Sequence, residues 1–330
     1  MKKRYVRTVA CMAVLFMVAL PFLTPPQAKA AASDWPRRTL EIIAPFRAGG
    51  DTDFYARTYA KYLEKELGVS VTVVNVEGAG GVVGSQQIIS ARPDGYRVLF
   101  TNTGAMFAVK LTGVSDIDHN SYALSCIGIR DDTNVLVAGK DAGFADAKDF
   151  LAKAKAAPGK YSVATTVPGF SFFTICKLQA AGNFTINPAD FGGAAAMTSA
   201  IIGNQVPLAV NSYGVFKQYV ENGDIIPLMV CSEKRNPNFP NVPTVGELGM
   251  PEGVAPRVYF FGFPKKTDDA IIKKLSDAVG RIQNNPDFVA DINKAYSVQP
   301  FYRDTATAQQ YMNDLWNDMA KYKDAMTTKK

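Results

Sequence analysis

The sequence predicts an α/β protein with parallel sheets, because three stretches share the same order of elements. Residues 40–68, 69–91 and 161–178 each contain a short apolar or β-branched run, a glycine turn and a helical pattern. Strands that alternate with helices are typical of a parallel sheet. Without its first 30 residues the chain is about 300 residues long, which is enough for two domains.

The first 30 residues have the features of a cleaved secretory signal. Basic residues precede an apolar run over residues 9–23, and Ala28-Lys29-Ala30 has the small-x-small pattern of a cleavage site. The run is about 15 residues long, shorter than the roughly 20 that a membrane anchor needs. We therefore expect export to the periplasm. Removing this segment, with its five basic and no acidic residues, lowers the formal net charge from +6 to +1, which gives no support for a nucleic-acid partner.

Three cysteines follow the signal, at Cys126, Cys176 and Cys231. They lie far apart without a C-x-x-C spacing, which argues against a zinc site. A single disulfide is one interpretation in an oxidising compartment. We favour the other, in which the cysteines are small buried apolar residues. No metal or other cofactor is predicted.

The first glycine turn (residues 45–51) lies between a strand at residues 40–44 and a helix that opens at Thr52. Gly68 follows that helix, where a left-handed residue ends many helices. A helix that starts after a glycine turn presents unpaired N–H groups at the positive end of its dipole, and such a place binds anions. We therefore predict that this turn captures a carboxylate.

The second glycine turn (residues 77–83) follows a β-branched strand at residues 69–76 and precedes a helix from about Gly84 to Ala91. A third strand, at residues 96–101, ends at Asn102-Thr103-Gly104. Ligands of open α/β sheets sit outside the carboxyl ends of the strands. The three loops are therefore expected to share one rim.

The third glycine turn (residues 166–171) belongs to a predicted second domain. Further predicted elements are extended chain at 125–137, a helix at 147–157, strands at 161–165, 206–210 and 225–231, an irregular stretch at 235–249, and amphipathic helices at 268–282 and 305–326.

The sequence offers little for an enzyme. Residues 78–84 resemble a dinucleotide-binding turn, but the last glycine comes one residue late and no acidic residue follows the next strand. His119 is the only histidine, and no nucleophile-elbow, zinc-protease or P-loop motif occurs. We expect a carrier rather than a catalyst.

The charged residues of the first glycine turn have alternative interpretations. Asp51 and Asp53 are close enough in sequence for acid–base catalysis. We favour Asp51 or Thr52 as the helix cap, and Asp53 either caps the helix or contacts the ligand. Arg47 either binds the ligand or is a solvated turn residue. Phe46 and Phe170 either contact a ligand's carbon chain or belong to the core.

Four motifs, in order and at family spacing, resemble the substrate-binding proteins of tripartite tricarboxylate transporters, the Bug-type family. They are residues 45–53 (PFRAGGDTD, similar to P-F-x-P-G-G-x-x-D), residues 78–84 (G-A-G-G-x-x-G), residues 91–96 (A-x-P-D-G-Y), and Arg235 followed by residues 240–249 (P-x-V-P-T-x-x-E-x-G). The resemblance covers nearly all of the chain after the signal.

The resemblance implies a type II periplasmic binding protein fold, with two α/β lobes joined by two crossover strands around a ligand cleft. The crossings are expected near residues 134–138 and 227–231, so that lobe 1 contains residues 31–133 and 233–330 and lobe 2 contains residues 134–232. The candidate ligand-binding residues are Phe46, Arg47, Ala48, Gly49, Gly50, Asp53, Ala79, Gly80, Gly81, Asn102, Thr103, Gly104, Thr165, Thr166, Gly169, Phe170, Ser171, Gly193, Ala194 and Asn211.

This sequence departs from the family pattern at several of these positions. Ala48 replaces the usual proline, Arg47 and Asp51 add charges, and Asn211 stands where an aspartate is often found. These departures concern the identity of the ligand. The prediction is a monomeric periplasmic carrier that binds a small organic anion, a di- or tricarboxylate, and delivers it to membrane permease subunits. The alternative is a sensory module that presents a carboxylate or a zwitterionic amino acid to a receptor kinase.

Overall fold

Ten strands form two five-stranded sheets in the computed structural model, which describes residues 34–327. The predicted signal segment lies outside these residues. The strands are β1 (Leu40–Ala44), β2 (Val71–Asn75), β3 (Arg97–Asn102), β4 (Ala123–Asp131), β5 (Asn134–Gly139), β6 (Ser162–Thr165), β7 (Asn187–Asp190), β8 (Leu208–Ser212), β9 (Ile225–Val230) and β10 (Arg257–Phe263). The helices are α1 (Asp51–Leu67), α2 (Val82–Ile89), α3 (Val109–Leu111), α4 (Ala147–Ala156), α5 (Phe170–Gly182), α6 (Ala194–Ile202), α7 (Tyr213–Glu221), α8 (Asp269–Ile282), α9 (Pro286–Tyr296), α10 (Thr305–Ala320) and α11 (Lys323–Thr327).

The first sheet has the strand order β2-β1-β3-β10-β4. β1 is parallel to both β2 and β3, while β10 runs antiparallel to β3 and β4. All seven residues of β10 are buried, as expected for a strand with a neighbour on each side. The parallel part confirms the predicted alternation of strands and helices, and β10 adds an antiparallel strand that the sequence analysis did not assign.

The second sheet repeats this plan with the order β7-β6-β8-β5-β9. β6 is parallel to β7 and β8, whereas β5 pairs antiparallel with β8 and β9. The chain passes from the first sheet to the second between β4 and β5, and it returns between β9 and β10. Two α/β units connected in this way confirm the fold class that the sequence predicts.

Aromatic residues fill the space between helix α1 and the first sheet. Tyr59 on α1 is fully buried, and its ring lies 5.2 Å from that of Phe261 on β10 and 5.0 Å from that of Phe288 on α9. Large aromatic rings supply much apolar area per residue. This packing holds α1 firmly against the sheet, and it therefore fixes the glycine turn at the amino end of α1.

The C-terminal helices connect the two units. Helix α10 packs on β4 of the first unit, and α11 packs on α5 of the second. The buried Lys177 on α5 forms an ion pair with Asp318 on α10. The predicted helix over residues 305–326 is therefore two helices, and it lies across both units.

The ends of helix α1 confirm one capping prediction and correct another. Gly68 is left-handed, with φ 69°, and its N–H donates to the Glu64 carbonyl, as predicted. The expectation that Asp51 or Thr52 is the N-cap residue is wrong, because that residue is Gly50, although the Asp51 carboxylate does accept the Thr52 N–H over 2.7 Å. No side chain within the described residues accepts the N–H groups of Gly50 and Asp51, in contrast to that of Thr52. Helix α2 also begins earlier than predicted, at Val82, directly after the left-handed Gly81.

Cys126, Cys176 and Cys231 are buried free thiols, which confirms the favoured interpretation. Burial raises the pKa of the Cys126 and Cys231 thiols to about 12, so both are protonated at neutral pH. Within residues 34–327, no helix combines the length and apolar character that crossing a membrane requires.

Candidate functional site

The carboxyl ends of β1, β2 and β3 meet at one edge of the first sheet, because the three strands are parallel neighbours. The side-chain amide of Asn75, at the end of β2, donates to the Phe46 carbonyl over 3.1 Å. That of Asn102, at the end of β3, donates to the Thr52 hydroxyl over 3.2 Å. The three predicted loops therefore form one rim.

The buried carboxylate of Asp53 stabilises the first glycine turn through hydrogen bonds. It is 5% exposed, and its carboxylate accepts hydrogen bonds from the Gly49 N–H (2.9 Å), the Arg57 guanidinium (3.0 Å) and the Asn75 amide (2.9 Å). Burial alone would raise the pKa of Asp53, but these bonds outweigh it and the pKa is lowered. Asp53 thus holds the turn, and the Gly49 N–H is used internally.

The N–H groups of Gly50 and Asp51 differ from that of Gly49, because neither has an acceptor among residues 34–327. Gly50 has an extended backbone, with φ −88° and ψ 177°. A Cβ built on it would meet only the Arg47 carbonyl oxygen, at 3.8 Å, so the space in front of this residue is open. This part of the turn keeps free donors at a helix N-terminus, where an anion is stabilised.

The remaining predicted residues of this turn point outward. The Arg47 side chain is 85% exposed and forms an ion pair with Glu77 of the second glycine turn. Ala48 is exposed, and Phe46 is half-buried. Arg47 therefore links the two turns at the surface, and its guanidinium lies away from the buried part of the rim.

The second glycine turn has three successive left-handed residues, Ala79, Gly80 and Gly81, with φ 47°, 66° and 101°. The Gly81 N–H donates to the Gly78 carbonyl over 3.0 Å and closes the turn. A Cβ on Gly80 would lie 3.4 Å from the Pro168 carbonyl oxygen of the third glycine turn. The turn therefore touches the second unit directly.

The loop after β3 packs closely against the second unit. The Gly104 N–H donates to the Asn102 side-chain oxygen over 2.9 Å. A Cβ on Gly104 would fall 2.5 Å from the Phe170 Cβ, so only a glycine fits. Thr103 is buried beside β10, and its hydroxyl lies 3.5 Å from the Val258 N–H.

The predicted residues of the second unit lie at the carboxyl edge of its sheet, because β6, β7 and β8 are parallel. The Ser171 hydroxyl lies 2.8 Å from that of Thr165 and accepts the Thr166 N–H over 3.1 Å. Gly169 is the N-cap of α5.

Two further helices start at this edge. Gly193 is the N-cap of α6, which begins at Ala194, and a Cβ on Gly193 would meet no atom within 4 Å. Asn211, the penultimate residue of β8, is buried, and helix α7 starts two residues later, at Tyr213. The second unit therefore also presents helix N-termini at one edge.

Arg257, the first residue of β10, lies where the two edges meet. It is 6% exposed and forms an ion pair with Asp51 of α1. It also donates to the side-chain oxygens of Asn211 (3.3 Å) and Asn134 (3.2 Å), both in the second sheet. Its guanidinium carbon lies 4.9 Å from the centre of the Phe170 ring. One arginine thus connects residues from both units at the predicted site.

Negative and polar groups surround this arginine. Asp51 also accepts a hydrogen bond from the Tyr259 hydroxyl over 2.7 Å. Asp131 is fully buried and accepts from Thr133 and Ser212, yet burial still raises its pKa. Burial opposes the charge on Arg257, but Tyr259, Asp51 and Asp131 outweigh it and raise the arginine pKa further. The guanidinium is therefore charged at any pH at which the protein is folded.

Sequence reasoning placed Asp51 in the turn but missed Arg257 and Tyr259. The only signal was an arginine at the start of an otherwise apolar segment, RVYFFGF. Charged residues are rarely buried without a partner. A lone arginine in such a strand was therefore a reason to look for a carboxylate.

A cavity of about 620 Å³ lies at the opposite edge of the first sheet, beside the amino ends of β1 and β3. Arg38 there pairs with Asp94 and lies over the Tyr96 ring, and Arg97 pairs with Glu41. This cavity contains none of the predicted site residues. We place the site at the other edge, because unpaired N–H groups at helix starts are found there, whereas Arg38 and Arg97 beside the cavity already have carboxylate partners.

The sequence matches a family model over residues 55–328, described as the tripartite tricarboxylate transporter family receptor. Among curated proteins, it is 31% identical over 254 residues to the protein BugT of Bordetella pertussis, covering 76% of this chain and 77% of BugT. These matches bear out the family resemblance that the four sequence motifs indicate.

Two solved structures from Rhodopseudomonas palustris share the fold. MatC with bound malate superposes with a TM-score of 0.76 at 21% identity, covering 88% of this chain and 99% of MatC. A second protein, whose structure contains adipate, gives a TM-score of 0.79 at 20% identity, covering 88% of this chain and 98% of its own. At sequence identities this low, the two superpositions establish a shared fold and nothing more specific.

Proposed function

This chain belongs to the tripartite tricarboxylate transporter receptor family, and we propose that it captures a small organic carboxylate in the periplasm. Members of this family are substrate-binding proteins, and the chain is a binding protein rather than an enzyme. The periplasmic location is supported by the family and by the predicted signal over residues 1–30. The malate and adipate in the related structures support a carboxylate as the ligand.

One observation carries the proposal. The starts of α1 and α5 both lie beside Arg257, which pairs with Asp51 and lies 4.9 Å from the centre of the Phe170 ring. Gly50 and Asp51 keep free N–H groups at the first of these helix starts, and Gly169 caps the second. Each charge-assisted hydrogen bond contributes about 1.5–3 kcal/mol. Two or three of them contribute about 3–9 kcal/mol before association costs of about 4 kcal/mol or more, so micromolar affinity, about −8 kcal/mol, requires further donors from both units.

We further propose that the two sheets are the cores of two lobes that close on the ligand, with residues 31–133 and 233–330 in lobe 1 and residues 134–232 in lobe 2. The contact of Gly104 with Phe170 supports a closed arrangement of the two lobes. Helix α7 of the second unit also packs on α9 of the first. Within the described residues the chain passes between the two sheets twice, so opening is expected to hinge at residues 132–133 and in the segment between β9 and β10.

A thermal-shift screen against organic acids tests the proposal. A ligand present at 100 times its Kd stabilises the native state by about 2.7 kcal/mol, which corresponds to a rise in Tm of several degrees. We expect such a rise with at least one di- or tricarboxylate. A screen in which no acid raises Tm, while the protein is folded and monomeric, would contradict carboxylate capture.

Delivery of the ligand to a membrane permease is the second part of the proposal, supported by the family description. Uptake of the radiolabelled acid by cells tests it. A strain that lacks the protein is expected to lose uptake, and re-expression should restore it. Unchanged uptake would favour the sensory alternative, in which the liganded protein docks on a receptor kinase.

A further inference from the structure

We propose that the ligand carries an ammonium group next to its carboxylate, so that the site binds an amino acid, with Asp51 as the acceptor for the ammonium. This inference rests on the proposed function and narrows its ligand class. It follows from the unequal distribution of donors and acceptors around Arg257.

The glycine turns supply donors. The N–H groups of Gly50 and Asp51 have no acceptor within residues 34–327. The Nε–H of Arg257 is a further donor without an acceptor in the described residues, and this side chain is more than nine-tenths buried. A buried unsatisfied donor is costly, so it marks a position where an acceptor is expected when the site is occupied. A ligand carboxylate meets that requirement.

The opposite side of the same space is rich in acceptors. Asp51, Asn134 and Asn211 all direct side-chain oxygens at the Arg257 guanidinium, and the carboxylate of Asp131 lies behind it. Asp51 and Asp131 thus share one cation, which leaves an excess of negative charge when both are ionised. A second carboxylate would be repelled here, whereas a cation would be stabilised.

Asp51 is the member of this group that a ligand can reach. Its side chain keeps 16% of its surface exposed, while Asp131 is fully buried. Asp51 is also the first residue of α1, directly after Gly50. The acceptor for an ammonium and the donors for a carboxylate are therefore neighbours in the chain, which matches the adjacent charges of an α-amino acid.

The test compares amino acids with their desamino analogues by calorimetry. Each standard amino acid is titrated into the wild-type protein, and each one that binds is compared with its analogue, for example L-aspartate with succinate. We expect the amino acid to bind about 10-fold to 100-fold more tightly, the effect of one charge-assisted bond.

Asp51→Asn supplies the decisive comparison, because it keeps the size of the side chain and removes its charge. We expect the amino acid to bind at least 10-fold more weakly, and the desamino acid to bind as well as before or more tightly, since Arg257 then has one anionic neighbour, Asp131, instead of two. A purely structural role of Asp51 would weaken both ligands equally. Asp51→Glu, which keeps the charge, should retain the preference for the amino acid if the site tolerates one more methylene.

Asp94→Asn is the matched control, because this aspartate also pairs with an arginine, Arg38, but at the opposite edge of the first sheet. It should leave the preference unchanged. Equal weakening of both ligands in Asp51→Asn, or a wild type that prefers the desamino acid, would overturn the inference. A wild type that binds organic acids but no amino acid overturns the inference and leaves the proposed function standing, and one that binds neither overturns both.

Discussion

Replacing Gly50 with valine is expected to weaken carboxylate binding by about 100-fold while the protein stays folded. The backbone at Gly50 is extended and compatible with a side chain, and a Cβ there would meet only one atom, at 3.8 Å. The valine side chain would occupy the space in front of the free N–H groups. Losing two charge-assisted bonds costs about 3 kcal/mol, or about two orders of magnitude in Kd. Calorimetric titration with the acid found in the screen measures the change.

Two control variants test whether a loss of binding in Gly50→Val is specific to this position. Gly246→Val introduces the same side chain at an exposed glycine whose Cβ would also have space, 3.7 Å from the nearest atom, and it should bind like the wild type. Arg47→Ala changes the first glycine turn at a side chain that is 85% exposed, and it should alter Kd by less than about threefold. A Gly50→Val protein with unchanged affinity would remove this turn from the site.

Asp53→Ala is expected to destabilise the folded protein by about 3 kcal/mol. The substitution leaves three donors, from Gly49, Arg57 and Asn75, without their buried acceptor. Unsatisfied buried donors cost about 1–3 kcal/mol each, and the partly exposed Arg57 recovers some of this through water. Urea unfolding at pH 7 measures the loss, and Asp53→Asn, which keeps the volume, should lose less. A change below 0.5 kcal/mol would contradict the role of Asp53 in holding the turn.

The pH dependence of this effect has a definite sign. The pKa of Asp53 is lowered in the folded protein, so its contribution to stability is present above the ordinary aspartate pKa of about 3.9 and is lost as the pH falls through the folded value. The difference in unfolding free energy between wild type and Asp53→Asn should therefore shrink below about pH 4. An equal difference at pH 7 and pH 3 would indicate that the charge of Asp53 is unimportant.

Local sequence patterns predicted most of the first unit correctly. β1, α1 and β2 follow from hydrophobic periodicity and from turn glycines, which act over a few residues. Gly68 ends α1 as expected, since only a residue that tolerates positive φ closes a helix in this way. The third glycine turn indicated a second domain, and the family resemblance then supplied its expected bounds, residues 134–232.

The parts that were missed depend on contacts between distant residues. Arg257 and Asp51 are 206 positions apart, and no local pattern connects them. The N-cap prediction for Asp51 failed for a related reason, because one carboxylate oxygen of Asp51 binds Arg257 and Tyr259, while the other accepts the Thr52 N–H from within the first turn. A side chain's partner in the tertiary structure here outweighs its local preference.

The central claim is that main-chain amides at the carboxyl edges of the two sheets hold the ligand. NMR spectra of protein labelled with ¹⁵N-glycine, titrated with the acid selected in the screen, test it most directly. We predict that the amide resonances of Gly50, Gly80 and Gly104 shift on binding, while that of Gly95, beside the 620 Å³ cavity at the opposite edge, stays in place. A shift of Gly95 with Gly50, Gly80 and Gly104 unchanged would contradict the claim.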